Sequence, residues 1–226
     1  MEKQLKAIIF DLDGVITDTA EYHFLAWQTL SEELGIPFTR QFNEELKGIS
    51  RMESLEKILA LSRKQNEFTE KEKENLAARK NSLYCRLIEK ITPKDILPGI
   101  SEFIAASKLH NIKIGLASVS KNAFTVMRRL ELLNEFDTIV DAKTIKNGKP
   151  DPEIFMRAAE QLGVNPVNCI GIEDAEAGVT AIKAAGMFAV GIGDQQRLAQ
   201  ADLIYHVTTE LRFDEILNAF VKKLNQ

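Results

Sequence analysis

Residues Lys6–Gly14 read KAIIFDLDG: a short unbroken apolar run that ends in two aspartates and a glycine. Consecutive apolar, β-branched positions bury both faces of a strand, as a parallel sheet covered by helices requires. Asp and Gly also terminate strands readily. Taken alone, Asp11-Leu12-Asp13-Gly14 therefore reads equally well as a plain turn or as two carboxylates set just beyond a buried strand.

The rest of the chain supplies the context. Similar runs recur at Ile112–Ala117 (IKIGLA), Thr138–Val140, Cys169–Ile172 and Phe188–Ile192. Helix-like segments separate them: Asn122–Leu133, Pro152–Leu162 with proline at the helix start, and Ala175–Ala185 stopping at Gly186. Strand–helix–strand alternation implies an α/β fold with a Rossmann-like, mainly parallel sheet. Between Thr17 and Pro93 the rhythm breaks. That stretch holds no comparable apolar run and reads as helices over 20–34, 42–46, 52–61 and 69–91. The expected organisation is a core built from 1–16 and 95–226, an all-helical cap inserted over 17–94, and hinges in the two linkers.

Composition narrows the class. A chain of 226 residues with a formal net charge of −4 is large enough for a real core and is no general nucleic-acid binder. The two cysteines, Cys85 and Cys169, form no C-x-x-C pattern and suit a reducing compartment. The N-terminal apolar run is too short for a signal peptide, and no segment approaches the ~20 apolar residues of a membrane span. A cytoplasmic protein without a membrane partner is expected. With no long apolar stripe left over, so is a monomer.

A second acidic pair, Glu173-Asp174, again follows a buried strand (CIGI) and precedes a helix. Ligands of open α/β sheets bind beyond the carboxyl ends of the strands, where Asp11, Ser118 and Asp174 should converge. Several carboxylates in one crevice do not ionise cheaply without a cation, and hard oxygen donors suit magnesium. Ser118-Val119-Ser120-Lys121-Asn122 follows IKIGLA and opens a helix; it reads as an anion site or as a simple serine N-cap. Lys149, in the proline-stiffened loop Lys149-Pro150-Asp151-Pro152, reads as a point charge reaching the crevice or as a solvated loop lysine.

Together these motifs resemble the haloacid dehalogenase superfamily of aspartyl-phosphate enzymes. DLDG (Asp11–Gly14), LASVS (Leu116–Ser120), GKPDP (Gly148–Pro152) and GIEDAEAG (Gly171–Gly178) occur in that order, with a helical insertion after the first. The resemblance implies Asp11 as nucleophile, Asp13 as general acid/base, Ser118 and Lys149 as ligands of the transferring phosphoryl group, and Mg2+ held by Asp11, Asp13, Glu173 and Asp174. Val119 departs slightly from the pattern, which has a small residue between the serines; its backbone is expected to bind in its place.

The cap carries the substrate information. Arg51, in the turn Gly48-Ile49-Ser50-Arg51, offers a planar fork for a phosphate or is simply exposed. Lys80 shares a helical stripe with Leu76, Leu83, Tyr84, Leu87 and Ile91, and either snorkels to solvent or points from the cap into a closed cleft. His23 and Trp27 lie one turn apart. Asp11–Trp27, Leu46–Leu55 and Arg79–Asn81 resemble the hexose-phosphate mutases of the superfamily. That resemblance implies Gly48, Ile49, Ser50, Arg51, Ser54, Trp27 and Lys80, with Val119, Ser120, Lys121 and Asn122, around a sugar phosphate. It also implies Thr19 and His23 linking hinge to proton transfer, a cap that closes, and β-D-glucose 1,6-bisphosphate as intermediate and activator. A sugar-phosphate phosphatase would need the same core residues with water as acceptor. A phospho-aspartate receiver is disfavoured because Asp11 follows the first strand, and a nicotinamide dehydrogenase because DLDG stands where G-x-G-x-x-G should.

Overall fold

The computed structural model describes residues 4–46 and 49–224. Among them the chain forms two compact units, one from the stretch up to Asp18 together with that from Thr92 onward, the other from Thr19–Ile91.

The first unit is built on six parallel strands: β1 (Ala7–Phe10), β2 (Lys113–Leu116), β3 (Thr138–Ile139), β4 (Cys169–Glu173), β5 (Phe188–Ile192) and β6 (Leu203–Tyr205), in the order β3-β2-β1-β4-β5-β6. This is the expected Rossmann-like sheet. β1, β4 and β5 are buried at every position, which explains their unbroken apolar runs. Cys169, a free thiol within β4, is pushed up to about 12 by burial. β6 was not anticipated: three residues at the sheet edge, two of them only half-buried, leave too short a pattern to read. The helix expected over 122–133 is shorter, because Glu131 adopts a left-handed backbone (φ 59°) that a continuing helix excludes. It spans Ala123–Arg129.

The helices of the second unit are α1 (Ala20–Glu33), α2 (Arg40–Asn43), α3 (Arg51–Ala60) and α4 (Glu70–Ile88). Those of the first are α5 (Ile100–Leu109), α6 (Ala123–Arg129), α7 (Glu153–Leu162), α8 (Glu176–Ala184) and α9 (Phe213–Leu224). Both α3 and α4 start with a reciprocal capping box, Ser50 with Glu53 and Thr69 with Glu72. An apolar cluster of Trp27, Leu30, Leu55, Ile58, Leu59 and Leu76 fills the helical unit. None of the described helices is long and apolar enough to cross a membrane. The two chain passages at the edge of the α/β unit are stitched together: the Leu97 N–H donates to the Ile16 carbonyl (2.9 Å) and the Thr17 hydroxyl to the Asp95 carbonyl (2.7 Å).

α8 lies unusually close to β4. A Cβ built at Gly171 would stand 2.5 Å from Cγ1 of Ile182. Gly171→Ala is expected to cost about 1–3 kcal/mol through overpacking, read as a lowered urea midpoint; an unchanged midpoint would show that α8 can lift off the sheet.

Candidate active site

The strand order reverses between β1 and β4, which is the switch point where an open α/β sheet leaves a crevice. Two bonds prolong the sheet there. The Asp11 N–H donates to the Ile172 carbonyl (2.9 Å) and the Ala117 N–H to the Phe10 carbonyl (2.8 Å). The ladder thus carries Asp11 between the end of β2, with Ser118, and the end of β4, with Glu173 and Asp174. Sequence positions more than a hundred residues apart meet because three strands end in register.

Asp11 is buried, and each carboxylate oxygen is engaged. Oδ1 receives the Lys149 ammonium at 2.5 Å, and Oδ2 receives the Asp13 N–H at 3.0 Å. Lys149 is 1% exposed, which settles its two readings: it is no solvated loop lysine. Its loop is tied to the first turn of α7, where the Glu153 carboxylate accepts the N–H groups of Lys146 (2.9 Å) and Asn147 (2.8 Å). The ammonium also lies 3.5 Å from Glu173 Oε2 and 5.1 Å from the centroid of the Phe155 ring. Burial opposes its charge, but Asp11, Glu173 and Asp174 outweigh burial, and its pKa is raised.

Glu173 is fully buried, and neither of its carboxylate oxygens has a hydrogen-bond partner among the described residues. Burial pushes its pKa well above the usual carboxylate range, the Asp11 charge adds to this, and Lys149 opposes it. Asp11, Glu173 and Asp174 each offer an oxygen, and these atoms all lie within 4.8 Å of one another. Three carboxyl groups converge on one ammonium, and buried oxygens without donors are costly. An all-oxygen set of this kind fits a hard divalent cation such as magnesium.

Ser118 is buried at the end of β2. Its Oγ accepts the Ser120 N–H (3.2 Å), and Ser120 Oγ accepts the Asn122 N–H (3.3 Å), so the loop curls onto its own hydroxyls. Val119 packs against the apolar core, and Lys121 is exposed.

The helical unit holds a second polar cluster. Lys80 is 2% exposed, and its ammonium lies 4.6 Å from the Trp27 ring centroid and 5.0 Å from that of Tyr84. It stands 2.8 Å from His23 Nδ1. An ammonium can only donate, so His23 accepts through Nδ1 and carries its proton on Nε2. That Nε2 is buried without a partner among the described residues. Burial holds the His23 pKa well below the usual imidazole value, and the positive charges of Lys80 and Arg51 push it further down. Arg51 opens α3, its own pKa lowered by burial. Thr19 is buried at the N-terminal end of α1, and its carbonyl accepts the His23 N–H (3.0 Å). Ser50 caps α3, and the buried Ser54 donates its hydroxyl to the Ser50 carbonyl (2.9 Å). Ile49 packs on the apolar cluster of the unit; Gly48 lies outside the described residues. Tyr84, whose ring is tilted against that of His23 with centroids 4.1 Å apart, was placed on the Lys80 stripe but given no role from the sequence, and neither was Phe155. The i,i+4 spacing of Lys80 and Tyr84 was the available signal for the first.

The unfolded imidazole protonates near 6.5, whereas His23 in the folded chain stays neutral to lower pH. The unfolded state therefore binds more protons in that window, and stability should fall as pH drops below about 6.5. A histidine NMR titration should show His23 neutral at pH 6, and Lys80→Met should raise its pKa part of the way back. A wild-type His23 titrating at its ordinary value would refute the burial argument.

Comparison with known proteins agrees with this geometry. The model of the haloacid dehalogenase-like hydrolase family matches residues 5–186. The chain is 55% identical over 210 residues to β-phosphoglucomutase of Bacillus subtilis (93% of each chain). It is 31% identical over 227 residues to a phosphorylated carbohydrates phosphatase of Thermotoga maritima (97% of this chain, all of that one). A crystal structure of β-phosphoglucomutase from Clostridium difficile superposes with a TM-score of 0.97 at 50% identity, covering 99% of this chain and 100% of that one. With a buried aspartate at the end of β1, a lysine bound to it and an acidic pair across the switch point, the chain belongs to the haloacid dehalogenase-like hydrolase family.

Proposed function

We propose that this protein is a β-phosphoglucomutase, interconverting β-D-glucose 1-phosphate and glucose 6-phosphate through an aspartyl-phosphate enzyme. The observation that carries the reading is the 55% identity to the Bacillus subtilis mutase over 93% of the chain. A match of that extent includes the helical unit, whereas the machinery of the α/β unit is common to mutases and phosphatases. Identity to the Thermotoga phosphatase is only 31% over a comparable span.

In this reading Asp11 attacks phosphorus, and the P–O bond to the leaving hydroxyl breaks. Asp13, two residues on in the same loop, protonates that leaving oxygen and later takes the proton from the incoming hydroxyl. Lys149, already on Asp11, follows the charge onto the phosphoryl oxygens, joined by the Ser118 hydroxyl and the N–H groups of its loop. Magnesium, held by Asp11, Asp174 and the Asp13 carbonyl with Glu173 in its shell, would neutralise charge on the transferring group. The phosphorylated Asp11 then donates to the 6-hydroxyl, giving β-D-glucose 1,6-bisphosphate. That molecule re-engages by its other end, and Asp11 recovers the phosphoryl group from position 1. Arg51 and Lys80 bind the phosphate that is not transferred, and neutral His23 offers its Nε2 proton as a donor. The helical unit serves as the cap, and the working unit is the monomer.

Activity is tested with Mg2+, β-glucose 1-phosphate and a trace of β-glucose 1,6-bisphosphate, following glucose 6-phosphate and free phosphate together. Glucose 6-phosphate from the β anomer alone, little free phosphate and background rates for Asp11→Ala are expected. Stoichiometric phosphate release without glucose 6-phosphate would leave a sugar-phosphate phosphatase. Arg51→Ala removes a charge-assisted bond worth roughly 1.5–3 kcal/mol and should raise KM about 10–100-fold while leaving Mg2+ affinity unchanged.

A further inference from the structure

Gly178 lies in the first turn of α8, and nothing in its backbone conformation calls for glycine: its φ is not positive. Glycine within a helix costs roughly 0.5–1 kcal/mol relative to alanine. The reason for its presence is spatial. A Cβ built there would stand 2.1 Å from Cδ, 2.2 Å from Cγ and 2.3 Å from Oε1 of Glu173. Glu173 is fully buried, with Lys149 at 3.5 Å, so any displacement of its side chain moves it against Lys149 and the other acids of the cluster. The same helix packs just as closely on β4 at Gly171, where a Cβ would stand 2.5 Å from Ile182 Cγ1, so lifting α8 to admit a side chain would also open that apolar contact.

We infer that Gly178 is a positioning residue for the divalent-cation site: its bare Cα is the floor that seats the Glu173 carboxylate beside Asp11 and Asp174, and any side chain there dislodges that carboxylate. Gly14 makes the matching approach on the other acid, where a Cβ would stand 2.2 Å from Asp174 Oδ2. Its φ of 78° already demands glycine, so the steric argument is clean only at Gly178. Ligand orientation of this kind is worth about 10–100-fold in metal affinity. The inference rests on the metal reading of the acidic cluster, and it holds whichever hydroxyl accepts the phosphoryl group.

The test is a calorimetric titration of the EDTA-stripped full-length chain with Mg2+ alone, for wild type, Gly178→Ala, Glu173→Ala and the double variant. Gly178→Ala should bind Mg2+ about tenfold or more weakly. The double variant should bind no more weakly than Glu173→Ala, because Gly178 acts only through the Glu173 side chain. Its thermal midpoint should equal or exceed that of Glu173→Ala, since alanine favours the helix once the carboxylate is gone. Wild-type affinity in Gly178→Ala would overturn the inference. So would losses that multiply in the double variant, or a double variant that does not fold. Should Gly178→Ala alone fail to fold, a folded double variant with the affinity of Glu173→Ala upholds the steric contact. A wild-type chain that binds no Mg2+ would remove the metal reading itself, and this inference with it.

Discussion

The contact between Lys149 and Asp11 is the constraint around which the α/β unit is arranged. Removing an ammonium and a carboxylate from water is expensive, and the 2.5 Å pairing returns that cost only if both groups are held in place. Asp11 is fixed by the ladder bond to Ile172 and by the Asp13 N–H on its other oxygen. Lys149 is fixed by a loop whose backbone is tied to Glu153. Glu173 and Asp174 each bring a further carboxyl oxygen within 4.8 Å of one from Asp11. The site thus gathers hard oxygen donors around one ammonium, an arrangement suited to a magnesium ion.

The helical unit solves a different problem with different means. It buries a lysine whose ammonium lies over two aromatic faces and donates to a neutral imidazole. Burial and two nearby cations keep His23 uncharged, so the cluster keeps its positive character without stacking a third charge upon it. The cluster is thus positively charged and bordered by the aromatic rings of Trp27 and Tyr84.

Close packing connects the two requirements of the α/β unit, rigidity and charge placement. α8 reaches β4 at Gly171 and again at Gly178, two positions without a side chain on one helix–strand contact. The first is an apolar contact with Ile182 and serves the core. The second faces Glu173 and serves the site. Helix propensity is sacrificed at Gly178 for the placement of one carboxylate, a local inconsistency of the sort expected where function sets the residue.

Much of the α/β unit was legible in the sequence because its central strands are buried on both faces. Their apolar runs are therefore continuous, and the acidic and serine motifs fall directly after them. The expected starts of the helices at 52 and 69 fell within one residue of the observed Arg51 and Glu70, and the structure shows a capping box at each. Legibility failed where burial is partial, as in β6, and where backbone geometry ends an element early, as at Glu131. The sequence named Asp11 and Lys149 as candidates but left Lys149 open between solvent and crevice, because the partners are 138 residues apart and no local pattern encodes their contact. It likewise placed Lys80 on an apolar stripe without showing that His23, 57 residues away, would accept from it. Residue type and local periodicity determined which groups could do the chemistry. The parallel register of β2, β1 and β4, and the packing of α4 on α1, decided which of them meet, because burial and pairing energies depend on neighbours that only the folded chain supplies.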